Sequence, residues 1–154
     1  MEKLVGAGMI LWTGVMVGVE FMDAPVKFQA PALQEQRWVA MQVGSVLFRH
    51  FQKVERVFVA LGTAGMALVS MNTGRNRLPR LASFGLVLAS VALNHAWVAP
   101  RLYDVMQYGI DRRILKKSDV PQELRDKSAS LHAWYAALEL AKMCGLVGCA
   151  AALL

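Results

Sequence analysis

The chain has 154 residues, of which 56% are hydrophobic and 18% are charged, whereas soluble domains average about 45 to 50% and about 25%. This composition excludes an ordinary soluble domain and predicts a membrane protein. The formal charge of +6 lies mainly in the connections between apolar segments, and no basic stretch has the interleaved aromatic residues of a nucleic-acid module. We therefore expect contact with anionic lipid headgroups and not with nucleic acid.

Four apolar segments have nearly the length that a helix needs to cross a bilayer, which is about 20 residues. Because lipid-exposed backbone must satisfy its own hydrogen bonds, each segment is predicted to be a helix. The sequence thus predicts an all-α fold, a polytopic membrane four-helix bundle that forms one domain over residues 1–154. In chain order the predicted spans are Leu4 to Met22, Val57 to Thr73, Leu81 to Pro100 and Leu131 to Leu154.

The long connections are predicted to be partly helical. Residues Gln34 to Arg56 and Tyr103 to Lys117 carry apolar side chains at helical spacing, mixed with charges. We expect them to extend the membrane helices into the headgroup region. Pro121, which follows Ser118 and Asp119, predicts a turn before a short helix. Other prolines are expected to end or kink the spans, namely Pro25, Pro31 and Pro100.

Basic residues are unevenly divided between the two membrane sides. The long connections hold 12 of them, whereas the other side holds 4, which are Lys3, Arg75, Arg77 and Arg80. The positive-inside rule then predicts that the long connections face the cytoplasm or an organellar matrix, in a bacterial inner or organellar membrane. The short loop from Asn72 to Arg80 also has a high number of basic residues for its length, so the opposite orientation stays open.

A short pattern occurs in both halves of the chain. Pro25 is followed by Phe28, and Pro100 by Tyr103, at the same spacing. Two explanations are open: duplication of a helical hairpin with the same topology, or chance similarity between alanine-rich helices. Small residues at several positions are predicted to let helices pack closely, namely Gly6, Gly14, Gly18, Gly62, Gly65, Gly145 and Gly148.

Ionisable residues near one membrane face form a candidate cofactor site. Glu20 and His95 each lie five residues before a proline, and His132 opens the fourth predicted span. These three residues are the candidates for binding haem or a quinone. The alternative is that Glu20 and His95 hydrogen-bond across the bundle. No HxxxH or HExxH pair occurs, so a metal site is not predicted.

The fourth predicted span carries a polar stripe. His132, Tyr135, Glu139 and Lys142 are spaced by three, four and three residues and therefore share one helix face. Tyr135, Glu139 and Lys142 are predicted to be buried polar residues, and ionisable groups inside a membrane indicate function by default. As structural alternatives, Glu139 and Lys142 can pair at i, i+3, or Lys142 can extend to the interface.

Several short motifs resemble a known family. Phe21, Ala24, Pro25 and Phe28 follow a small apolar helix, Val46, Leu47 and Phe48 precede the next one, and Leu131 and His132 open the last span. In this combination the chain resembles the four-helix membrane domain of the transmembrane protein 205-like family, a domain of unknown function. The resemblance implies a four-helix integral membrane protein and supplies no catalytic residues.

More distantly, the layout is similar to the copper-resistance D membrane proteins and to the four-helix haem-dependent protoporphyrinogen oxidase. The first predicted helix lacks histidine, which argues against a haem or copper role. The leading hypothesis is a non-catalytic accessory or scaffold subunit that contacts membrane lipids and other membrane subunits or itself. The alternatives are a haem-, quinone- or metal-binding redox protein, and a small transporter in which Glu139 relays a proton or cation.

Overall fold

The computed structural model describes residues 1–19, 31–71 and 77–154, and these residues are almost entirely helical. A π-helical turn, Asn94–Val98, joins the helix over residues 77–93 to the helix over residues 99–111, and a short 3-10 turn, Lys117–Asp119, precedes the last helix. No strand occurs within the described ranges. The helices are α1 (Glu2–Met16), α2 (Pro31–Glu35), α3 (Arg37–Ser70), α4 (Arg77–Leu93), α5 (Ala99–Asp111) and α6 (Gln122–Leu153).

Three helical segments are long and apolar enough to cross a membrane. They are Glu2–Val19, Arg77–Asp111 and Gln122–Leu153. Large apolar side chains cover their outer faces, which suits lipid as the surrounding solvent and would be unfavourable in water. The prediction of an all-α membrane bundle is therefore confirmed. Examples of these exposed side chains are Leu4, Ile10, Leu11, Leu86, Leu140 and Val147.

The third helix, α3, is a member of the bundle. In the described part of the chain it has no apolar stretch as long as those of the three segments that can cross a membrane. Its middle carries Lys53, Glu55 and Arg56, and its apolar part begins only at Val57. It packs against α1 and α5. That α3 also crosses the bilayer stays a prediction.

The predicted helical extensions are confirmed, because α3 begins at Arg37 and α5 continues to Asp111. The backbone N–H of Trp38 donates to Ile114 O at 3.0 Å, which satisfies one of the unpaired donors at the start of α3. The prediction of a separate short helix after Pro121 is wrong. Gln122–Leu153 is one continuous helix, since nothing between Gln122 and the apolar part breaks it.

The two ends of the bundle differ in what they contain. At the terminal side, Arg80 Nη1 donates to Glu2 Oε1 at 2.6 Å, so the starts of α1 and α4 lie together. At the connection side, the start of α3 meets the end of α5. The predicted pattern around Pro25 and Phe28 lies outside the described residues.

Two groups of buried apolar side chains fill the bundle. The larger, the terminal apolar cluster, joins α1, α3, α4 and α6 and includes Trp12, Met66, Val87, Leu146 and Cys149. The smaller, the connection apolar cluster, consists of Val98, Leu102, Val105 and Leu131. Between them the interior is polar, which is unusual at membrane depth.

Most of the predicted packing glycines do lie at helix contacts, as expected. The tightest is Gly145 of α6, where an added Cβ would come within 2.7 Å of both Ser83 O and Val87 Cγ2 on α4. Gly6, Gly62, Gly65 and Gly148 also face neighbouring helices. For Gly14 and Gly18 no atom of the described ranges lies within 4 Å of a Cβ built there, so close packing at these two positions stays a prediction.

Substitution of Gly145 by Ala is expected to destabilise the bundle by about 1 to 3 kcal/mol, because the new methyl group would push the α4 backbone away. Thermal unfolding in detergent, followed by helical circular dichroism, measures this. Gly85→Ala is the matched control, since Gly85 also lies within a helix but has open space around it. The control should be neutral or slightly stabilising; equal losses in the two variants would contradict the close approach.

Candidate functional site

The π-helical turn places two polar residues of the third span. Pro100 lacks an N–H and its ring crowds the preceding turn, so an ordinary α-helical turn before it is unfavourable. The wider turn absorbs this, and Ala99 N–H donates to Asn94 O five residues earlier. Successive residues on a helix point in different directions, and here Asn94 faces α6 whereas His95 faces α3.

Five side chains from three segments form the polar cluster, which we define as Glu55, Asn94, His95, Glu139 and Lys142. Glu55, Glu139 and Lys142 are almost fully buried, with 1%, 2% and 0% of their surface exposed. His95 is the most accessible member, and its side chain is 18% exposed. The cluster thus has one edge that reaches the surface.

Lys142 is the centre of this cluster. Its Nζ donates to Glu139 Oε1 at 2.8 Å and also to Glu55 Oε1. The predicted i, i+3 pair of Glu139 with Lys142 is therefore present, but it is shared with a second carboxylate. The alternative in which Lys142 extends to the interface is wrong, because both carboxylates hold its ammonium group in the interior.

The two carboxylates have different second partners. Asn94 Nδ2 donates to Glu139 Oε1 at 2.7 Å, and His95 Nε2 donates to Glu55 Oε2 at 2.7 Å. Both oxygens of Glu55 are consequently bonded. In contrast, Glu139 Oε2 and Asn94 Oδ1 are buried with no partner in the described part of the chain. Two unsatisfied acceptors on bonded neighbours are a costly arrangement in a low-dielectric interior.

The formal charge of the polar cluster does not balance when every group is in its usual state. Two carboxylates and one ammonium give a net charge of −1 if His95 is neutral. An uncompensated charge at membrane depth costs several kcal/mol or more. Among the described residues, one additional positive charge would balance the cluster, and a proton on Glu139 would supply it.

Aromatic residues mark where the interface lies relative to the cluster. Trp97 and Trp134 are exposed and meet edge to face with their ring centroids 5.7 Å apart, and the guanidinium of Arg101 lies 5.4 Å from the Trp97 ring centre. Tryptophan and arginine at one level are typical of a headgroup boundary. From Trp134 to the end of α6 the helix is about 30 Å long, one bilayer core, and Lys142 lies about 12 Å below the boundary.

Comparison with known families gives one match. The family model described as Domain of unknown function (DUF4149) covers residues 8–110, about two thirds of the chain. The chain belongs to this family. No curated protein and no solved structure matches the chain significantly. The DUF4149 region contains Glu55, Asn94 and His95, and it ends before Glu139 and Lys142.

Two of the residues proposed for a cofactor site, His95 and His132, do not come together in this DUF4149 protein. Glu20 lies outside the described residues. His132 is exposed, and its Nδ1 donates to Ser128 O at 2.7 Å within the same helix. It lies two helical turns before Glu139, about 10 Å nearer the connection side. His132 therefore does not join His95, whose Nε2 is bonded to Glu55.

This arrangement does not fit a bis-histidine haem, because the two histidines differ in depth and each has a nitrogen bonded to protein. No group of three or more His, Cys, Asp or Glu side chains suited to a metal ion occurs in residues 1–19, 31–71 and 77–154. Tyr135 is half-buried, and its ring meets that of Phe48 edge to face at 5.3 Å. It lies one turn from Glu139, between the cluster and the connection side.

Two members of the polar cluster were not among the predicted site residues. Glu55 is visible in the sequence as an acid at the start of an apolar segment, but its partner Lys142 lies 87 residues away. Asn94 stands in an apolar span beside His95, and a neutral polar residue there is a signal that could have been used. Whether Asn94 pairs with Glu139 depends on how the two helices are rotated relative to each other, and residue spacing within one helix does not determine this.

Proposed function

We propose that this protein is a small transporter that binds a proton at the polar cluster and moves it in step with a conformational change. One observation carries the proposal: a buried cluster with two carboxylates and one ammonium needs one more positive charge. A buried carboxyl group in such a site can take up or release a proton when its access to water changes. Of the functions predicted from the sequence, the small transporter is the one that assigns a role to Glu139.

The surroundings of the cluster support the proposal. The terminal apolar cluster lies between the polar cluster and the terminal side, and the connection apolar cluster lies on the opposite side. His95 provides the exposed edge. A polar group closed off by apolar layers at both ends, with one partly exposed member, suits an occluded state of an alternating-access protein.

Proton flux in proteoliposomes tests the proposal. With a potassium diffusion potential and a pH-sensitive dye inside the vesicles, the unmodified protein should carry protons, whereas Glu139→Gln should fall to the rate of protein-free liposomes. Glu123→Gln is the matched control, because Glu123 is an exposed acid of the same helix. Flux driven by a sodium or potassium gradient, independent of pH, would assign a cation instead of a proton, and absence of any flux would remove the transporter function.

A second function, an accessory or scaffold subunit, is favoured by a different observation. Gly8 and Gly14 of α1 have no described atom within 4 Å of an added Cβ, so α1 offers a surface to which another helix could come close. Native mass measurement in mild detergent distinguishes this function, since a lone monomer would count against it.

We propose the orientation with the long connections in the cytoplasm or matrix, on the basis of their basic residues. Labelling of single cysteines with a membrane-impermeant reagent in right-side-out vesicles tests this. A cysteine at exposed Lys116 should be protected, and one at exposed Met1 should react. The reverse pattern would show the opposite orientation.

A further inference from the structure

The two unpaired acceptors in the polar cluster are next to each other in the bonding pattern. Asn94 Nδ2 already donates to Glu139 Oε1, so the remaining oxygens of the same amide and the same carboxyl group are Asn94 Oδ1 and Glu139 Oε2. Both are buried and without a partner among the described residues. Two acceptors cannot bond each other unless one of them carries a hydrogen.

From this geometry we infer that the exchangeable proton resides on Glu139 Oε2 and is donated to Asn94 Oδ1, which closes a two-bond ring between the acid and the amide. The inference rests on the proposed function and deepens it by assigning the proton to one atom. A single hydrogen then satisfies both unpaired acceptors. Asn94 is the positioning residue that recognises the protonated acid.

The remaining groups of the cluster agree with this assignment. With Glu139 neutral, Glu55 and Lys142 form a balanced pair, and His95 needs only its neutral form with the hydrogen on Nε2 to donate to Glu55. Among the residues that the structure describes, the charged and titratable groups that face Glu139 are Lys142 on its own helix and, through Lys142, Glu55 on α3 and His95 in the π-helical turn. Tyr135 precedes Glu139 by one turn.

The ionised state of Glu139 would be held differently. Loss of the proton would leave Asn94 Oδ1 and Glu139 Oε2 as two buried acceptors with no donor between them, which is unfavourable. Lys142 would then balance two carboxylates at once. We therefore expect deprotonation to separate Asn94 from Glu139 and to move the π-helical turn relative to α6. This is the step that would link proton release to helix movement.

Infrared spectroscopy of the purified protein in lipid nanodiscs tests the assignment. The unmodified protein should show a carbonyl band of a protonated carboxyl group that shifts in D₂O and disappears as pH rises. The band should be absent in Glu139→Gln and present in Glu55→Gln. Glu139→Gln is expected to fold, because its amide can donate to Asn94 Oδ1 in place of the acid.

Asn94→Leu supplies the second measurement. It removes the two-bond ring between acid and amide but leaves Glu139, so the band should remain and move to the frequency of an acid without a hydrogen-bond acceptor. An unchanged band frequency in this variant would overturn the role of Asn94. A band lost in Glu55→Gln instead would place the proton on Glu55 and overturn the assignment.

Two other outcomes would also overturn it. A wild-type protein without any such band would show that Glu139 is not protonated, and a band abolished by added sodium at constant pH would indicate a cation at the two oxygens. The proposed function fails separately. If the band behaves as expected but the proteoliposomes carry no protons, the assignment to Glu139 stands and the transporter function falls. If the proteoliposomes carry protons but the band is absent in every variant, the transporter function stands and the assignment falls.

Discussion

Lys142→Met is expected to destabilise the protein by about 3 to 5 kcal/mol, which is the cost of breaking a buried ion pair by removing one partner. Lys142 is fully buried and donates to both Glu55 and Glu139. Methionine fills a similar volume, so the loss reports the missing charge and not a cavity. Unfolding of the purified protein by increasing mole fractions of SDS, followed by circular dichroism, measures the free energy.

The double variant Lys142→Met/Glu55→Gln separates electrostatics from packing. If Glu139 is neutral through its proton, replacing Glu55 by Gln makes the whole cluster uncharged, and most of the lost stability should return. Lys142→Met/Glu139→Gln should recover less, because Glu55 would then keep its charge with only His95 beside it. If the free energy of unfolding of Lys142→Met alone is within about 1 kcal/mol of that of the unmodified protein, the central position of Lys142 is contradicted.

The fold follows from the sequence to a large extent because lipid imposes a simple rule. Long apolar runs in a bilayer must be helical, and this rule predicted α1, the third span and the fourth span. It does not set how far a helix continues beyond the apolar run. The sequence predicts a short helix after Pro121, but the charged residues there tolerate the same helical geometry outside lipid, so α6 is continuous.

The polar cluster was predictable only within single helices. Periodicity placed Glu139 and Lys142 on one face, and the structure contains their pair. Which residues of other helices contact Glu139 and Lys142 depends on how each helix is rotated about its axis and on how deep each residue lies in the membrane. The apolar outer faces of the helices specify these two quantities only weakly. Glu55 and Asn94 were missed for this reason. His132 shares the helical face of Glu139, but two helical turns of depth separate it from the cluster.

Trp12 connects the first helix to the apolar layer that closes the cluster. Its side chain is 1% exposed, and its ring stacks on that of Phe58 with centroids 5.5 Å apart and an interplanar angle of 13°. Phe58 follows Glu55 by one turn on α3, so this contact lies directly on the terminal side of the polar cluster. The indole Nε1 of Trp12 has no partner in the described ranges. Its contribution is therefore one of packing.

Trp12→Ala is expected to cost about 3 kcal/mol, near the lower end for a buried tryptophan because the competing environment is lipid and not water. The cavity would also thin the terminal apolar cluster, so passive proton leak through proteoliposomes should rise. Trp12→Phe should preserve most of the stability and the seal, since it keeps an aromatic ring on Phe58 and removes the unpaired N–H.

Trp97→Ala serves as the control for the loss of a large aromatic side chain, because Trp97 is 38% exposed at the lipid boundary. It should lower stability less and leave the leak unchanged. If Trp12→Ala unfolds at the same SDS fraction as Trp97→Ala and seals vesicles equally well, α1 does not close the polar cluster. The barrier on the terminal side would then have to come from α3, α4 and α6 alone, through residues such as Met66, Val87 and Leu146.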